Sequence, residues 1–246
     1  MRRVMMTVAY DGTNYSGFQV QENAKTIEGE LNRCLSELTG ESIQVIGASR
    51  TDSGVHALCN VVVFDTAVRM SGDKFSYALN QRLPDDIRIR KSADIDPQFH
   101  PRRCHSRKIY EYRIVNDEFP IPTKRLYSYF TYHMLNVNLM QEAAAYLVGE
   151  HDFKSFCSTG SQAESTVRTI YSLQVEKNKE EIVIRVMGNG FLYNMVRIIA
   201  GTLLEAGQGK WEPEHIRTIL AAKDRSVAGP TAPAYGLTLV NYEIMD

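Results

Sequence analysis

TIEGELNRCLSELTG, residues 26–40, decides how the first half of the chain is read. Ile27, Leu31, Cys34, Leu35 and Leu38 fall at i, i+4, i+7, i+8 and i+11, one stripe of a helix, with Thr26 placed to cap its first turn and Gly40 to stop it. Before this helix, Val4 to Tyr10 reads as a strand. After it, Ile43 to Ala48 and Val55 to Phe64 read as two more, Phe75, Ala78, Leu79 and Leu83 mark a second helix ended by Pro84, and Ile87 to Arg90 is a closing strand. The order is βαββαβ, the split βαβ arrangement of ferredoxin-like and RNA-recognition folds.

The same order can be read again further on. A strand from Lys108 to Val115 precedes a helix from Leu139 to Leu147, and strands lie near Leu173 to Glu176 and Ile182 to Met187. A helix from Phe191 to Leu204, another starting at Pro213 and a strand from Leu237 to Ile244 complete the pattern. The expectation is an α+β protein of two similar halves, residues 1–100 and 101–246. Their antiparallel sheets are expected to lie side by side with an active-site cleft between them. Asp-Gly at Asp11 and Asn-Gly at Asn189 supply turns suited to this plan.

Composition sets the class. A chain of 246 residues, 43% hydrophobic and 23% charged, is long enough to bury substantial cores, and its net charge of −1 argues against a uniformly basic nucleic-acid coat. Charge is nevertheless uneven: Arg88, Arg90, Lys91, Arg102, Arg103, Arg107 and Lys108 face only Asp94 and Asp96 within the same stretch. Such a run is a solvated face or a phosphate track. Cysteines 34, 59, 104 and 157 have no CxxC or Cys–His spacing, so reduced thiols in the cytoplasm and no metal site are expected. The start MRRVMMTVAYDG has no long apolar region, and the apolar stretch from Met195 to Leu204 contains Arg197, so neither a signal peptide nor a membrane span is expected.

Three places carry candidate chemistry. GASRTDSGVHA, residues 47–57, sets Asp52 among small and turn-forming residues; it either holds the turn or acts as a catalytic carboxylate. In MVRIIAGTLL, Arg197 is costly to bury without an anion, and with Tyr193, Asn194 and Gly201 it forms a polar stripe opposite Val196, Ile199 and Leu203. It either snorkels to solvent or lines a cleft. In RKIYEYRI, alternation puts Tyr110, Tyr112 and Ile114 on one face, as sheet core or as a platform on which a base stacks. No RNP1-like run occurs in either half.

Taken together, YDGTNYSGFQVQ (Tyr10 to Gln21), GASRTDSGVHA, RKIYEYRI, GEHDFKSF (Gly149 to Phe156), GNGFLYNMVRIIAGTLLEAG (Gly188 to Gly207) and APAYGLTL (Ala232 to Leu239) resemble the bacterial tRNA pseudouridine synthase A family, in that family's order and over nearly the whole chain. The resemblance implies an isomerase that converts uridine to pseudouridine at positions 38, 39 and 40 of the tRNA anticodon arm, as a homodimer and without cofactor. It implies Asp52 as the catalytic carboxylate, Arg197 as its partner from the other half, and Tyr110 as the residue stacked on the uracil, with a hydroxyl able to take the C5 proton. Arg50 would brace the space left by the flipped base, Leu237 would pack on that base, and Arg102, Arg103, Arg107 and Lys108 would meet phosphates. His56 is expected to brace the Asp52 loop. Two other readings use the same residues: a tandem RNA-binding protein without catalysis, and a nuclease or glycosidase built on Asp52. The latter lacks a second well-placed carboxylate.

Overall fold

The structure, a computed structural model, describes residues 1–245. Its elements run β1 (Arg2–Tyr10), α1 (Ile27–Thr39), β2 (Ile46–Gly47), β3 (His56–Thr66), α2 (Phe75–Asn80), β4 (Ile87–Ile95), β5 (Ser106–Asn116), β6 (Tyr129–Thr131) and α3 (Val137–Ala145). They continue with β7 (Gly149–Asp152), β8 (Val167–Asn178), β9 (Glu181–Gly188), α4 (Met195–Gly207), α5 (His215–Ala222) and β10 (Leu237–Ile244). The chain forms two compact units: Met1–His105 with the chain from Leu239 onward, and Ser106–Thr238. The α+β class and the mostly antiparallel strand pairing agree with the order of elements in the sequence.

In the first unit β1 runs antiparallel to both β3 and β4, β2 pairs with β3, and β10 lies beside β3. β1 buries Val4, Met6, Val8 and Tyr10 at every second position, as a strand with one covered face must. α1 turns Ile27, Leu31, Cys34 and Leu35 inward, and α2 adds Phe75 and Leu79, with Phe75 edge-on to Phe64 of β3 at 5.1 Å between centroids. The caps of α1 are those expected: the Thr26 hydroxyl accepts from the Gly29 N–H at 3.2 Å, and Gly40 takes φ 72°.

The strand expected over Ile43 to Ala48 shortens to Ile46–Gly47. Ile43 and Val45 are buried, as their alternation requires, but their N–H groups donate to Ser36 Oγ at 3.0 Å and Asn32 Oδ1 at 2.8 Å on α1. β4 in turn continues past Arg90 to Ile95, paired with β1 on both sides of an irregularity at Arg90.

In the second unit β9 lies between β5 and β8, antiparallel to both; β7 pairs with the start of β8, and β6 runs parallel to the end of β5. The Asn136 side chain caps α3, accepting from the Asn138 and Leu139 N–H groups. α4 starts at Met195, not Phe191, because Asn194 at φ 60° is left-handed and cannot continue a helix. Ile198, Ile199, Ala200 and Leu203 of α4 are completely buried.

Candidate active site: an acid loop and an arginine helix

Asp52 lies in the connection from β2 to β3, and that connection is bonded along its length to the segment after β1. Thr51 O accepts from the Phe18 N–H at 3.0 Å, and Tyr15 O accepts from the Gly54 N–H at 3.3 Å and from the Ser53 hydroxyl at 3.2 Å. The turn itself is closed by the backbone, Val55 N–H to Asp52 O at 3.1 Å, with Gly54 at φ 77°. Gly17, at φ 90°, would carry a Cβ 2.9 Å from Thr51 O, and a Cβ on Gly12 would stand 2.1 Å from Val55 O. The two glycines therefore let two loops lie closer than side chains allow. Asp52 itself is half-buried.

Beneath the turn is a polar bracket. The Tyr10 hydroxyl lies 2.7 Å from Thr51 Oγ1, and Asn60 Nδ2 donates both to that hydroxyl at 3.1 Å and to Ser49 O at 2.9 Å. Asn60 Oδ1 accepts from the Ser49 N–H at 3.2 Å. Burial pushes the Tyr10 phenol up to about 12, so it stays protonated through the neutral range. His56 is buried, and its Nδ1 accepts from the Gly12 N–H at 3.1 Å, a link between the same two loops. This is the bracing place expected for it.

The basic candidates of this unit divide by geometry. Arg50 is exposed, with one nitrogen 3.4 Å from Gln19 Oε1. Arg102 Nε donates to Gly47 O at 2.8 Å; burial, then the nearby Arg50 charge, lower its pKa. Arg90, Lys91 and Arg103 point to solvent. Arg88 braces the turn before β4, donating to Pro84 O at 2.6 Å, Ile87 O at 2.8 Å and Asp85 Oδ1 at 2.5 Å.

In the second unit, Tyr110 sits opposite Val186 on β5 and meets Phe191 edge-on, with centroids 5.3 Å apart and planes at 86°. Tyr112, on the same face, is sheet core: it is fully buried, its hydroxyl donates to Pro233 O at 3.0 Å, and burial raises its pKa. Arg107 lies over the ring of Tyr171 at 5.2 Å, and Lys108 stands opposite Gly188. Leu237 is buried where a short turn, Ala234–Gly236, leads into β10.

Arg197 is held by its own backbone neighbourhood. Its Nε donates to Ala232 O at 2.7 Å, one terminal nitrogen donates to Asn194 Oδ1 at 2.7 Å, and its carbonyl accepts from the Ala232 N–H at 3.1 Å. Residues 229–232 reach α4 because Gly201 has no side chain: a Cβ there would stand 1.8 Å from Pro230 O. The Gly229 N–H donates to Thr202 Oγ1 at 3.0 Å, and Arg225 donates to Ala228 O and Thr231 Oγ1 at 3.3 and 3.1 Å. The expected polar stripe is thus only partly helical, since Tyr193 and Asn194 precede the first turn. Gly229 was not legible as a residue that seats this segment, because its partner Thr202 lies far away in sequence, and Arg225 and Thr231, which bond to each other, act only within the segment so seated.

Among the described residues no three His, Cys, Asp or Glu side chains come together as metal ligands, and no helix is long and apolar enough to cross a membrane. The four cysteines are free thiols.

The chain is thus an α+β protein of two units, one carrying the Asp52 loop and the other the Arg197 helix. The sequence model of the tRNA pseudouridine synthase family matches residues 6–103 and 143–243, and the chain belongs to that family. Proteins named tRNA pseudouridine synthase A are similar over their whole length: that of Brevibacillus brevis is 51% identical over 239 residues, covering 97% of this chain and 98% of its own. Those of Thermoanaerobacter sp. and Acetivibrio thermocellus are each 48% identical over 240 residues, 98% of both chains.

Proposed function

We propose that the protein isomerises uridine to pseudouridine in the anticodon arm of tRNA, with Asp52 as the reacting carboxylate and no cofactor. The observation that supports this most is similarity to tRNA pseudouridine synthase A proteins over 98% of both chains, with the Asp52 loop inside the matched region. In this reading the glycosidic C1′–N1 bond breaks, the uracil turns while bound, and C5 joins C1′. C5 then loses its proton and N1 gains one. No water is consumed and no group departs, so one carboxylate suffices where glycoside hydrolysis takes two.

Asp52 acts ionised, on C1′ or on the ribose C2′ proton. Tyr110 holds the uracil and offers a hydroxyl to the C5 proton. Arg197 supplies the cation that favours the ionised carboxylate. Arg50 and Leu237 attend the flipped nucleotide, and Arg102, Arg103, Arg107 and Lys108 meet phosphates; unstacking the base costs a few kcal/mol that such contacts offset. The same resemblance supports a cytoplasmic homodimer.

The test is incubation of the purified protein with an unmodified tRNA transcript, followed by carbodiimide treatment and primer extension. Stops at anticodon-arm uridines are expected with wild type and not with Asp52→Asn. Tight binding of tRNA with no stops would replace this reading with that of an RNA-binding protein without catalysis.

A further inference from the structure

β5 and β8 begin, and β9 ends, at one end of the second unit's sheet. Gly188, the last residue of β9, lies opposite Lys108 on one side and Ile170 on the other. Arg168, the second residue of β8, belongs to this end. Its guanidinium is half-buried, and its two hydrogen bonds, to Ser165 O at 2.9 Å and Val167 O at 2.6 Å, both come from Nη1. Among the described residues no carboxylate pairs with it, and Nε and Nη2 donate to nothing. Those two nitrogens form the edge of a guanidinium that grips a phosphate or carboxylate with two parallel bonds.

Beside it is a glycine turn: a Cβ on Gly190 would lie 3.7 Å from Arg168 Nε and 3.8 Å from its Cδ, so the turn after β9 passes next to this side chain. A Cβ on Gly188 would stand 2.9 Å from Thr169 O and 3.1 Å from the Phe191 ring, so both crowd the place a side chain would take there. Asn189 ties the turn to β8 through Thr169, N–H to O at 3.1 Å and Oδ1 from N–H at 3.0 Å. Phe191 is in turn the ring against Tyr110. Arg107 and Lys108 open the neighbouring strand at the same end of the sheet. Burial lowers the Arg168 pKa and the nearby Cys157 opposes that shift, so the site holds a partly desolvated cation with no carboxylate partner among the described residues.

We propose that Arg168 binds a backbone phosphate of the tRNA beside the nucleotide held at Tyr110, through its Nε and Nη2 edge. The inference rests on the tRNA reading above. Its chemistry is a phosphodiester, the anion that tRNA presents at every nucleotide.

The experiment uses the full chain, an unmodified tRNA transcript, binding across a salt series and single-turnover rates. Arg168→Gln is expected to weaken binding about tenfold and to make log affinity against log salt shallower by about 0.7 to 0.9, one released counterion. Its rate at saturating tRNA should stay within about threefold of wild type, as for a contact made equally in ground and transition states. Arg168→Lys keeps the charge and is expected to keep the wild-type slope. An unchanged slope for Arg168→Gln, whatever its affinity, overturns the phosphate contact and leaves Arg168 as a brace for residues 165–167. A shallow slope for Arg168→Lys overturns it too, since charge would then not be what counts. Wild type that neither binds nor modifies tRNA overturns the tRNA reading and this inference together, whereas an active wild type with an unchanged Arg168→Gln slope sinks this inference alone.

Discussion

Asp52 and Arg197 are positioned by opposite means. The aspartate stands on a turn with little regular structure, fixed by backbone bonds to another loop and by the Tyr10, Thr51 and Asn60 bracket below it. The arginine stands on a buried helix, and an irregular segment is brought to it by the missing side chains of Gly201 and Gly229. A loop can aim a short side chain only if the loop is itself over-determined, while a helix supplies rigidity and needs only a groove for the chain that meets it. Both solutions depend on glycine where two backbones meet.

The largest effect should come from the acid. Asp52→Asn keeps size and leaves the backbone turn intact, so folding and tRNA binding should persist while single-turnover pseudouridine formation falls by at least about a thousandfold. Near-normal turnover would remove Asp52 from the chemistry. Arg197→Met should cost about a hundredfold or more in kcat/KM. If the arginine favours the ionised carboxylate, its loss raises that group's pKa, so the acid limb of the pH–rate profile moves to higher pH. An acid limb left in place would break the pairing implied by the resemblance.

Glycine substitutions compare the two supports directly. Gly12→Ala and Gly201→Ala should each destabilise by about 1–3 kcal/mol or more, because a methyl would meet a carbonyl oxygen at 2.1 and 1.8 Å respectively. Chemical denaturation measures the cost. Equal stability of Gly201→Ala and wild type would mean that residues 229–232 shift freely, contrary to the seat described for them.

Smaller again is the ring of Tyr110. Tyr110→Phe should keep tRNA affinity within about twofold, while Tyr110→Ala should lose about 1–3 kcal/mol of binding. Equal losses in the two variants would end the platform role. Last, Arg102→Ala with Arg103→Ala should flatten the salt dependence by under about one unit per lost contact and leave saturated turnover intact. Part of any effect of Arg102 has another origin, since its bond to Gly47 O supports the strand before the acid loop.

What could be read from the sequence follows from how local each cause is. α1 was legible to the residue because its stripe, Thr26 cap and Gly40 stop all act within a few positions. The strand at Ile43 to Ala48 was legible only as burial: its side chains alternate correctly, but its amides are taken by Ser36 and Asn32, a choice no periodicity reveals. β6 and β7 are too short to show a pattern. At the site, Asp52 and Arg197 stood out as a carboxylate among turn residues and a charge in an apolar helix. Arg168 did not, because its distinguishing feature is an unused guanidinium edge beside Gly190, which exists only once β8 and β9 have paired.

β10 has a consequence for how the molecule is made. From Leu239 it belongs to the first unit, where Tyr242 is buried and its hydroxyl donates to Pro101 O at 2.7 Å, yet all of Ser106–Thr238 is synthesised before it. A nascent chain that has emerged only as far as β9 carries β1 to β4 with only the two-residue β2 on the flank of β3 that β10 will extend. Closing that flank joins segments separated by an entire unit, a non-local step that slows folding and exposes an unpaired edge meanwhile. The first unit is thus begun before the second and completed only after it.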